Sequence, residues 1–150
     1  MTKLFKGPKN SITDIDGFLV GNAQDDHIKS GVTVLTRSTS FRASVSILGG
    51  APGTKETDLL SPDKIVENID GIVLAGGSAF GLDASSGVMD CLRSQNRGFD
   101  TGAIKVPIVP SAILFDLRNG GFKEWSVNPY RELGQNAFLK VSNNFEIGSV

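Results

Sequence analysis

The sequence has 150 residues, 39% of them hydrophobic, and its 15 basic and 16 acidic residues give a formal net charge of −1 at pH 7. That length is typical of one domain with one hydrophobic core, and the scattered basic residues do not form the stripe that nucleic acid or an anionic membrane requires. Because the sequence has no run of about 18 apolar residues, it predicts a soluble, cytoplasmic protein.

Two segments that alternate β-branched and polar residues predict neighbouring half-buried strands, and a continuously aliphatic segment predicts a short buried strand. In chain order these strands are GVTVLTR (31–37), RASVSILGG (42–50) and GIVLAGG (71–77). A later extended segment, IKVPIVPSAILFDL (104–117), contains two prolines. Since proline cannot donate a backbone hydrogen bond, this segment fits a sheet edge or a pocket wall better than a central strand.

Capping residues predict two helices. SPDKIVENID (61–70) begins with Ser61 at the N-cap position and a proline in the first turn. NPYRELGQNAFLKVSNN (128–144) begins in the same manner, with Asn128 as the cap and a proline after it.

Apolar periodicity predicts a further helix that begins at Ser78, because apolar residues recur from there at every third or fourth position. Gly98 stands where a left-handed cap would end this helix. Gly81 and Gly87 lie inside it and each costs about 1 kcal/mol relative to alanine. Their presence indicates close backbone packing at those positions.

Between the last predicted strand and this helix, the chain turns through Gly76, Gly77 and Ser78, which we call the glycine corner. A dinucleotide fingerprint fails because Ser78 takes the place of its second glycine, and a phosphate loop fails because no Gly-Lys-Ser/Thr follows. A nucleophile elbow fails because Phe80 takes the place of its last glycine. Two interpretations stay open: a corner that binds an anion through its N–H groups, or a turn required only by chain geometry.

The sequence has one histidine and one cysteine. His27 lies in the polar run NAQDDHIKS, which is typical of a surface loop, and its two aspartate neighbours are too close in sequence to make a good metal site. Cys91 lies among apolar residues and fits a small core residue better than a reactive thiol. The residues therefore favour chemistry without a histidine triad, a metal or another cofactor.

Three long motifs follow one another in the chain: GGAPGTKETDLLSP, IVLAGGSAFGLDASSGVM and VPIVPSAILFDLRNGG. Together with the opening SITDIDGFLVGNAQD and GVTVL, they resemble, in order and spacing, the DmpA-like aminopeptidase family. This family of L-aminopeptidase/D-esterase type includes β-peptidyl aminopeptidases and nylon-oligomer hydrolases. The resemblance covers about residues 10 to 150.

The resemblance implies an α/β fold, the four-layer αββα sandwich of DmpA and ornithine acetyltransferase-like proteins. It also implies a precursor that cuts itself once, so that a new N-terminal serine or threonine becomes the nucleophile. The α-amino group of that residue has a reference pKa of about 7.7 to 8.0 and can accept the hydroxyl proton near neutral pH. The implied enzyme is a hydrolase that releases N-terminal residues from small peptides, amides or esters through an acyl-enzyme.

In the family, the self-cleavage site lies beyond the glycine loop that EIGSV begins. We therefore expect residues 1–150 to be the N-terminal part of a single αββα hydrolase domain, with the nucleophile outside this chain. Ser149 is a minor candidate, because a cut after Gly148 would leave only two residues. We also expect the isolated chain to be inactive and to bury its C-terminal end against polypeptide that it does not contain.

The resemblance assigns substrate-binding positions to Gly76, Gly77, Ser78 and Phe115. Some relatives carry a tyrosine at the position of Phe115 and use its hydroxyl near the oxyanion. Phenylalanine cannot donate that hydrogen bond, so the means of holding the oxyanion stays open. Asp116, beside it, is expected to have a structural role.

Two carboxylates in the motif GGAPGTKETDLL suggest acid and base chemistry. Glu56 and Asp58 lie two residues apart on a predicted loop, where carboxylates more often cap a helix or pair with a cation. We therefore expect them to cap a helix or to pair with Lys55 or Arg42.

Two other functions stay open: a catalytically inactive fragment or interaction subunit, and an acyltransferase of the ornithine acetyltransferase-like type. The expected partners are a small peptide or amide substrate, the downstream segment of the same precursor, and further copies in a homo-oligomer. Neither nucleic acid nor a membrane is expected as a partner.

Overall fold

A computed structural model describes residues 5–146 as a five-stranded mixed sheet with two helices on one face, together with a separate two-stranded sheet. The strands are β1 (Phe18–Asp25), β2 (Ser30–Phe41), β3 (Thr54–Lys55), β4 (Ile69–Ala75), β5 (Phe99–Asp100), β6 (Lys105–Val106) and β7 (Ser111–Ile113). The helices are α1 (Ala84–Ser94) and α2 (Tyr130–Leu139), and 3-10 turns cover Ile12–Asp14, Asp58–Leu60 and Ser78–Asp83. The predicted α/β class is confirmed. Within the described residues, no helix is long and apolar enough to span a membrane.

The main sheet has the strand order β1-β2-β4-β7-β3, and β4 with β7 is its parallel pair. The register places Gly21 opposite Val34, Val34 opposite Val73, and Val73 opposite Ser111. Because side chains alternate between the two faces of a sheet, this row lies on one face.

The helices pack on the face that carries this row. One buried cluster joins Val32, Val34, Val73 and Ala75 of the sheet to Ala84, Val88, Leu92, Leu133, Ala137 and Phe138 of the helices. Ala84, Val88 and Leu92 are spaced by four residues, and each is fully buried. Burying one valine or leucine side chain contributes about 1.5–3 kcal/mol, so this stripe explains why the segment after the glycine corner is helical.

Glycines allow α1 and α2 to touch through their backbones. A Cβ atom at Gly87 would overlap the carbonyl oxygen of Arg131, and one at Gly134 would overlap that of Ala84. A Cβ at Gly81 would likewise overlap a carbonyl oxygen of the glycine corner. The close backbone packing predicted at Gly81 and Gly87 is therefore confirmed.

The opposite face of the sheet presents apolar side chains that are more exposed. Leu74 is 54% exposed, whereas its neighbour Val73, on the helix side, is fully buried. Leu35 lies opposite Ile72 and Leu74 lies opposite Ala112, so all four residues share this face. We call this group the open sheet face.

The strands predicted at 31–37 and 71–77 are confirmed by β2 and β4, but the strand predicted at 42–50 is wrong. Residues 42–50 have no regular secondary structure, and Leu48 is 86% exposed. A strand needs a neighbour with unpaired backbone groups. Since β2 already lies between β1 and β4, segment 42–50 has no free edge of β2 to pair with.

The helix predicted at 61–70 is also wrong. This segment forms turns, Ile65 is 91% exposed, and Ile69 belongs to β4. An N-cap such as Ser61 contributes only about 1 kcal/mol. Burial of Ile69 in the sheet contributes more than that, and the segment has no buried apolar stripe to hold a helix in place.

Of the two placements predicted for the proline-containing segment, a sheet edge or a pocket wall, the sheet edge is wrong, because β7 lies between β4 and β3. Both prolines precede β7, so they remove no donor from its ladder. The carbonyl of Pro110 accepts a hydrogen bond of 3.0 Å from the Val73 N–H. Proline thus takes part in the sheet as an acceptor.

The helix predicted from Ser78 is confirmed, as a 3-10 turn that continues into α1. Its end differs from the prediction: α1 ends at Ser94, and the first left-handed residue after it is Asn96 (φ +53°) rather than Gly98. The last predicted helix is confirmed but shorter, as α2, with Pro129 at the N-cap position in place of Asn128. Asn128 Oδ1 still accepts a hydrogen bond of 3.0 Å from the Tyr130 N–H.

The contact between α1 and α2 predicts that Gly134→Ala destabilises the protein. Alanine gains about 1 kcal/mol of helix propensity, but overlap with the Ala84 carbonyl forces the helices apart at a cost of about 1–3 kcal/mol or more. The control is Gly50→Ala, where a Cβ atom meets nothing within 4 Å. Thermal unfolding of both variants should show a lower midpoint for Gly134→Ala alone, and an unchanged midpoint would contradict the packing described.

Candidate active site

The parallel pairing of β4 and β7 brings two predicted site segments together. Both strands end at the same edge of the sheet, where β4 continues into the glycine corner and β7 continues into residues 114–116. Edges formed by the carboxyl ends of parallel strands are common ligand sites in α/β proteins. The glycine corner and Phe115, which the family resemblance assigns to substrate binding, are therefore neighbours in the fold.

The N–H groups of the glycine corner are bonded to acceptors elsewhere in the chain. Gly76 donates to the Gly31 carbonyl (3.0 Å), Gly77 to Asp116 Oδ1 (2.7 Å) and Ser78 to the Leu114 carbonyl (3.0 Å). The 3-10 turn Ser78–Asp83 has Gly77 as its N-cap, and with i→i+3 spacing its first internal donor is the Phe80 N–H, which bonds back to the Gly77 carbonyl. The Ala79 N–H precedes that bond. Any contact of the corner with an anion would therefore use the Ala79 N–H or the Ser78 hydroxyl.

The glycine corner has a left-handed backbone at two successive residues, Gly77 (φ +82°) and Ser78 (φ +53°). Glycine adopts this conformation freely, whereas for serine it costs about 1–2 kcal/mol. Such local strain is found most often at binding and catalytic sites. A Cβ at Gly77 would in addition overlap the ring of Tyr130.

A chain of hydrogen bonds lies directly behind the corner. The Tyr130 hydroxyl donates to Ser30 Oγ (2.7 Å), and the Ser30 hydroxyl donates to Asp116 Oδ2 (2.6 Å). Tyr130 and Ser30 are almost completely buried, and Asp116 is half-buried. A Cβ at Gly76 would overlap both the Asp116 carboxylate and Ser30 Oγ, so this carboxylate touches the corner.

Burial raises the pKa of Tyr130 above its ordinary value. The hydrogen bond with Ser30 acts in the opposite direction, and the negative charges of Asp116 and Asp25 raise the pKa further. The phenol therefore keeps its proton at neutral pH and acts as a donor to Ser30.

Aromatic side chains extend from Tyr130 to the surface. Trp125 makes edge contacts with Tyr130 (6.1 Å between centroids) and with Phe80 (6.0 Å). Phe80 is 53% exposed and Phe115 is 61% exposed. Aromatic rings give apolar substrate groups a surface to pack against.

The other residues considered from the sequence lie elsewhere in the structure. Glu56 has a left-handed backbone (φ +63°), and Asp58 lies in the first turn of a 3-10 helix. The predicted partner Lys55 instead donates to Ser86 Oγ (3.1 Å), and Arg42 pairs with Glu67.

His27 is exposed in the turn between β1 and β2, where its ring stacks on Phe122 at 5.0 Å. Cys91 is half-buried in α1, and burial raises the pKa of its thiol. Ser149 lies outside the described residues. Among residues 5–146, no three histidine, cysteine, aspartate or glutamate side chains gather as metal ligands.

Sequence reasoning did not find Ser30 or Tyr130, and it gave Asp116 no specific partner. The hydrogen bonds that unite them join residues 86 and 100 positions apart. The one local signal is the Asn-Pro-Tyr sequence, which places Tyr130 at the start of a helix.

The chain belongs to peptidase family S58, whose family model matches residues 10–150. Across 149 residues it is 41% identical to an uncharacterized aminopeptidase of Mycobacterium tuberculosis, with 94% of this chain and 42% of that protein covered. It is also 32% identical to the 6-aminohexanoate-oligomer endohydrolase of Paenarthrobacter ureafaciens, with 83% of this chain and 32% of that enzyme covered. The resemblance stated from the three motifs is thus confirmed.

Solved structures support the same fold. The PH0078 protein from Pyrococcus horikoshii superimposes with a TM-score of 0.72 over 99% of this chain and 45% of its own chain, at 18% identity. A Burkholderia beta-aminopeptidase superimposes with a TM-score of 0.63 over 95% of this chain and 41% of its own, at 16% identity. The chain therefore spans less than half the length of these structures and of the relatives named above.

Two glycines with the same φ angle allow a test of the contact between position 77 and the Tyr130 ring. Gly77 and Gly102 both have φ +82°, but a Cβ at Gly102 meets nothing within 4 Å. Alanine at either position costs about 1–2 kcal/mol of backbone strain, and Gly77→Ala adds a clash of about 1–3 kcal/mol with Tyr130. Urea unfolding should show a clearly larger loss of stability for Gly77→Ala, and equal losses would refute the contact.

Tyr130 is the only tyrosine of the chain, so absorbance at 295 nm reports its ionisation directly. Its pKa is raised in the folded state, so phenolate should form above pH 10, and denaturant should return the midpoint to about 10. The corresponding stability is complete below the unfolded pKa and falls as the pH rises through the folded pKa. A midpoint at or below 10 in the folded chain would contradict the burial of this phenol.

Proposed function

We propose that the chain forms one wall of the active site of an N-terminal-nucleophile hydrolase that releases N-terminal residues from small peptides, amides or esters. The family match supports a hydrolase. One observation supports the position of the proposed active site: the glycine corner and Phe115 lie next to each other at the carboxyl ends of β4 and β7. In this proposal the active protein is cytoplasmic and forms homo-oligomers.

The proposed reaction has two steps, with a self-generated N-terminal serine or threonine outside these 150 residues as nucleophile. Its Oγ attacks the substrate carbonyl carbon and its proton passes to its own α-amino group. The bond to the leaving group breaks, and the departing amine or alcohol takes that proton. Water then attacks the acyl-enzyme, which releases the acid and restores the hydroxyl.

In this mechanism the residues of the chain bind and orient the substrate. Phe115 and Phe80 offer exposed aromatic surface to an apolar group, and the glycine corner lets substrate approach the backbone closely. Since Phe115 has no hydroxyl, the oxyanion needs other donors. The Ala79 N–H and the Ser78 hydroxyl are the candidates in this chain.

The exposed apolar side chains of the open sheet face support another proposed partner, the downstream segment of the same precursor. Leu74 and its neighbours would be covered there by a second sheet of the αββα sandwich. Each 100 Å² of apolar surface so covered would contribute about 2.5 kcal/mol.

The experiment compares the 150-residue chain with the full translation product of its gene. We expect the full product to split into two fragments, one beginning with serine or threonine, and to hydrolyse aminoacyl p-nitroanilides or 6-aminohexanoate oligomers. The 150-residue chain should do neither. Intact mass, N-terminal sequencing and nitroaniline release provide the measurements, and the control replaces the new N-terminal residue by alanine, which should abolish cleavage and hydrolysis together.

Three outcomes would oppose this proposal. Turnover by the 150-residue chain would place the nucleophile within it. Faster acyl transfer to an added amine than to water would indicate an acyltransferase. A full product that is neither cut nor active would favour an inactive interaction subunit.

A further inference from the structure

The Asp116 carboxylate joins three parts of the chain that are distant in sequence. Its Oδ1 accepts the Gly77 N–H at 2.7 Å, and its Oδ2 accepts the Ser30 hydroxyl at 2.6 Å. Ser30 in turn accepts the hydroxyl of Tyr130 at 2.7 Å. One side chain thus ties the glycine corner to the start of β2 and to α2.

Asp116 is the only side chain among the acceptors of the three corner N–H groups. The other two acceptors are backbone carbonyls, of Gly31 and Leu114. The carboxylate also lies so close to Gly76 that a Cβ there would overlap it. Its distance from the corner is therefore set by direct contact as well as by the hydrogen bond.

The Gly77 N–H belongs to the residue that begins the left-handed stretch of the corner, and Ser78 follows it at φ +53°. A strained backbone persists only where its surroundings hold it. The Gly77 N–H donates to Asp116 and the Ser78 N–H donates to the Leu114 carbonyl. Both acceptors belong to residues 114–116, so one segment fixes the two left-handed residues. The direction in which the Ala79 N–H points from the corner depends on these two hydrogen bonds.

We propose that Asp116 is a positioning residue, which fixes the glycine corner so that the Ala79 N–H and the Ser78 hydroxyl face the substrate. The expected effect of Asp116 on catalysis rests on the proposed function. Asp116 does not touch the reacting atoms in this role and acts through Gly77. Its substitution should therefore lower kcat more than it raises KM, because a displaced corner misaligns donors that act mainly in the transition state.

The test uses Asp116→Asn and Asp116→Ala in the full translation product. Asparagine keeps an oxygen for the Gly77 N–H, so we expect kcat within about threefold of the unaltered protein, whereas alanine should lower kcat by about 10- to 100-fold. The matched control is Asp100→Ala, because Asp100 Oδ1 accepts the Gly102 N–H at 2.8 Å at an exposed turn. That variant should leave kcat and KM unchanged.

A second readout does not depend on activity. In Asp116→Ala, hydrogen exchange at the Gly77 amide should accelerate by about tenfold or more, as expected when a bond to a charged acceptor is lost. In Asp116→Asn it should change far less, and the Tyr130 phenol should titrate at lower pH because a nearby negative charge is gone. Asp100→Ala should accelerate exchange at Gly102 and leave Gly77 unaffected.

The two readouts separate the inference from the function on which it rests. Loss of kcat with faster exchange in Asp116→Ala, and recovery of both in Asp116→Asn, would support positioning. If Asp116→Ala leaves both unchanged while the unaltered protein hydrolyses substrate, the inference is wrong and the function stands. If the unaltered protein hydrolyses nothing, the proposed function fails. If Gly77 exchange in Asp116→Ala is then also unchanged, Asp116 does not position the corner.

If Asp116→Ala does not fold, hydrogen exchange in the unaltered full translation product still tests the contact. The Gly77 amide, bonded to the half-buried Asp116, should exchange more slowly than the Gly102 amide, bonded to the exposed Asp100. Equally fast exchange at the two amides would overturn the proposal.

Discussion

The parallel pairing of β4 and β7 is the constraint on which the site depends. It places the glycine corner, which follows β4, beside residues 114–116, which follow β7. Only because these segments are adjacent can Asp116 accept the Gly77 N–H. An antiparallel pair would send the two strand ends to opposite edges of the sheet. The chain makes the parallel connection through residues 76–110, which include α1, so the helix layer is also what permits the site geometry.

The helix layer is held at short range by backbone contacts rather than by large side chains alone. Gly87 and Gly134 let the two helices approach until carbonyl oxygens meet the opposite backbone. This close approach keeps α2, and with it the Tyr130 ring, directly against the glycine corner. Rigid packing on one side of the sheet thus supports a locally strained turn at its edge, which is the usual arrangement for residues kept in rarely populated backbone conformations.

The elements that could be predicted are those in which local pattern and tertiary burial agree. The stripe Ala84, Val88, Leu92 is visible in the sequence because the sheet buries that same stripe. Segments 42–50 and 61–70 have equally good local signals, but strand pairing and the burial of Ile69 decided their structure. The glycine corner and Phe115 came from long motifs, whereas Ser30, Tyr130 and the contacts of Asp116 depend on hydrogen bonds between residues 39, 86 and 100 positions apart, which no local pattern encodes.

The contact between Gly77 and Tyr130 also restricts how such a sequence can diverge. Any side chain at position 77 requires the space now filled by the tyrosine ring, so a first substitution there is tolerated only after position 130 has become smaller. A smaller residue at 130 in turn removes the donor to Ser30. A substitution at either position alone therefore destabilises the corner. A lineage that retains this corner is expected to change positions 77 and 130 together or to change neither.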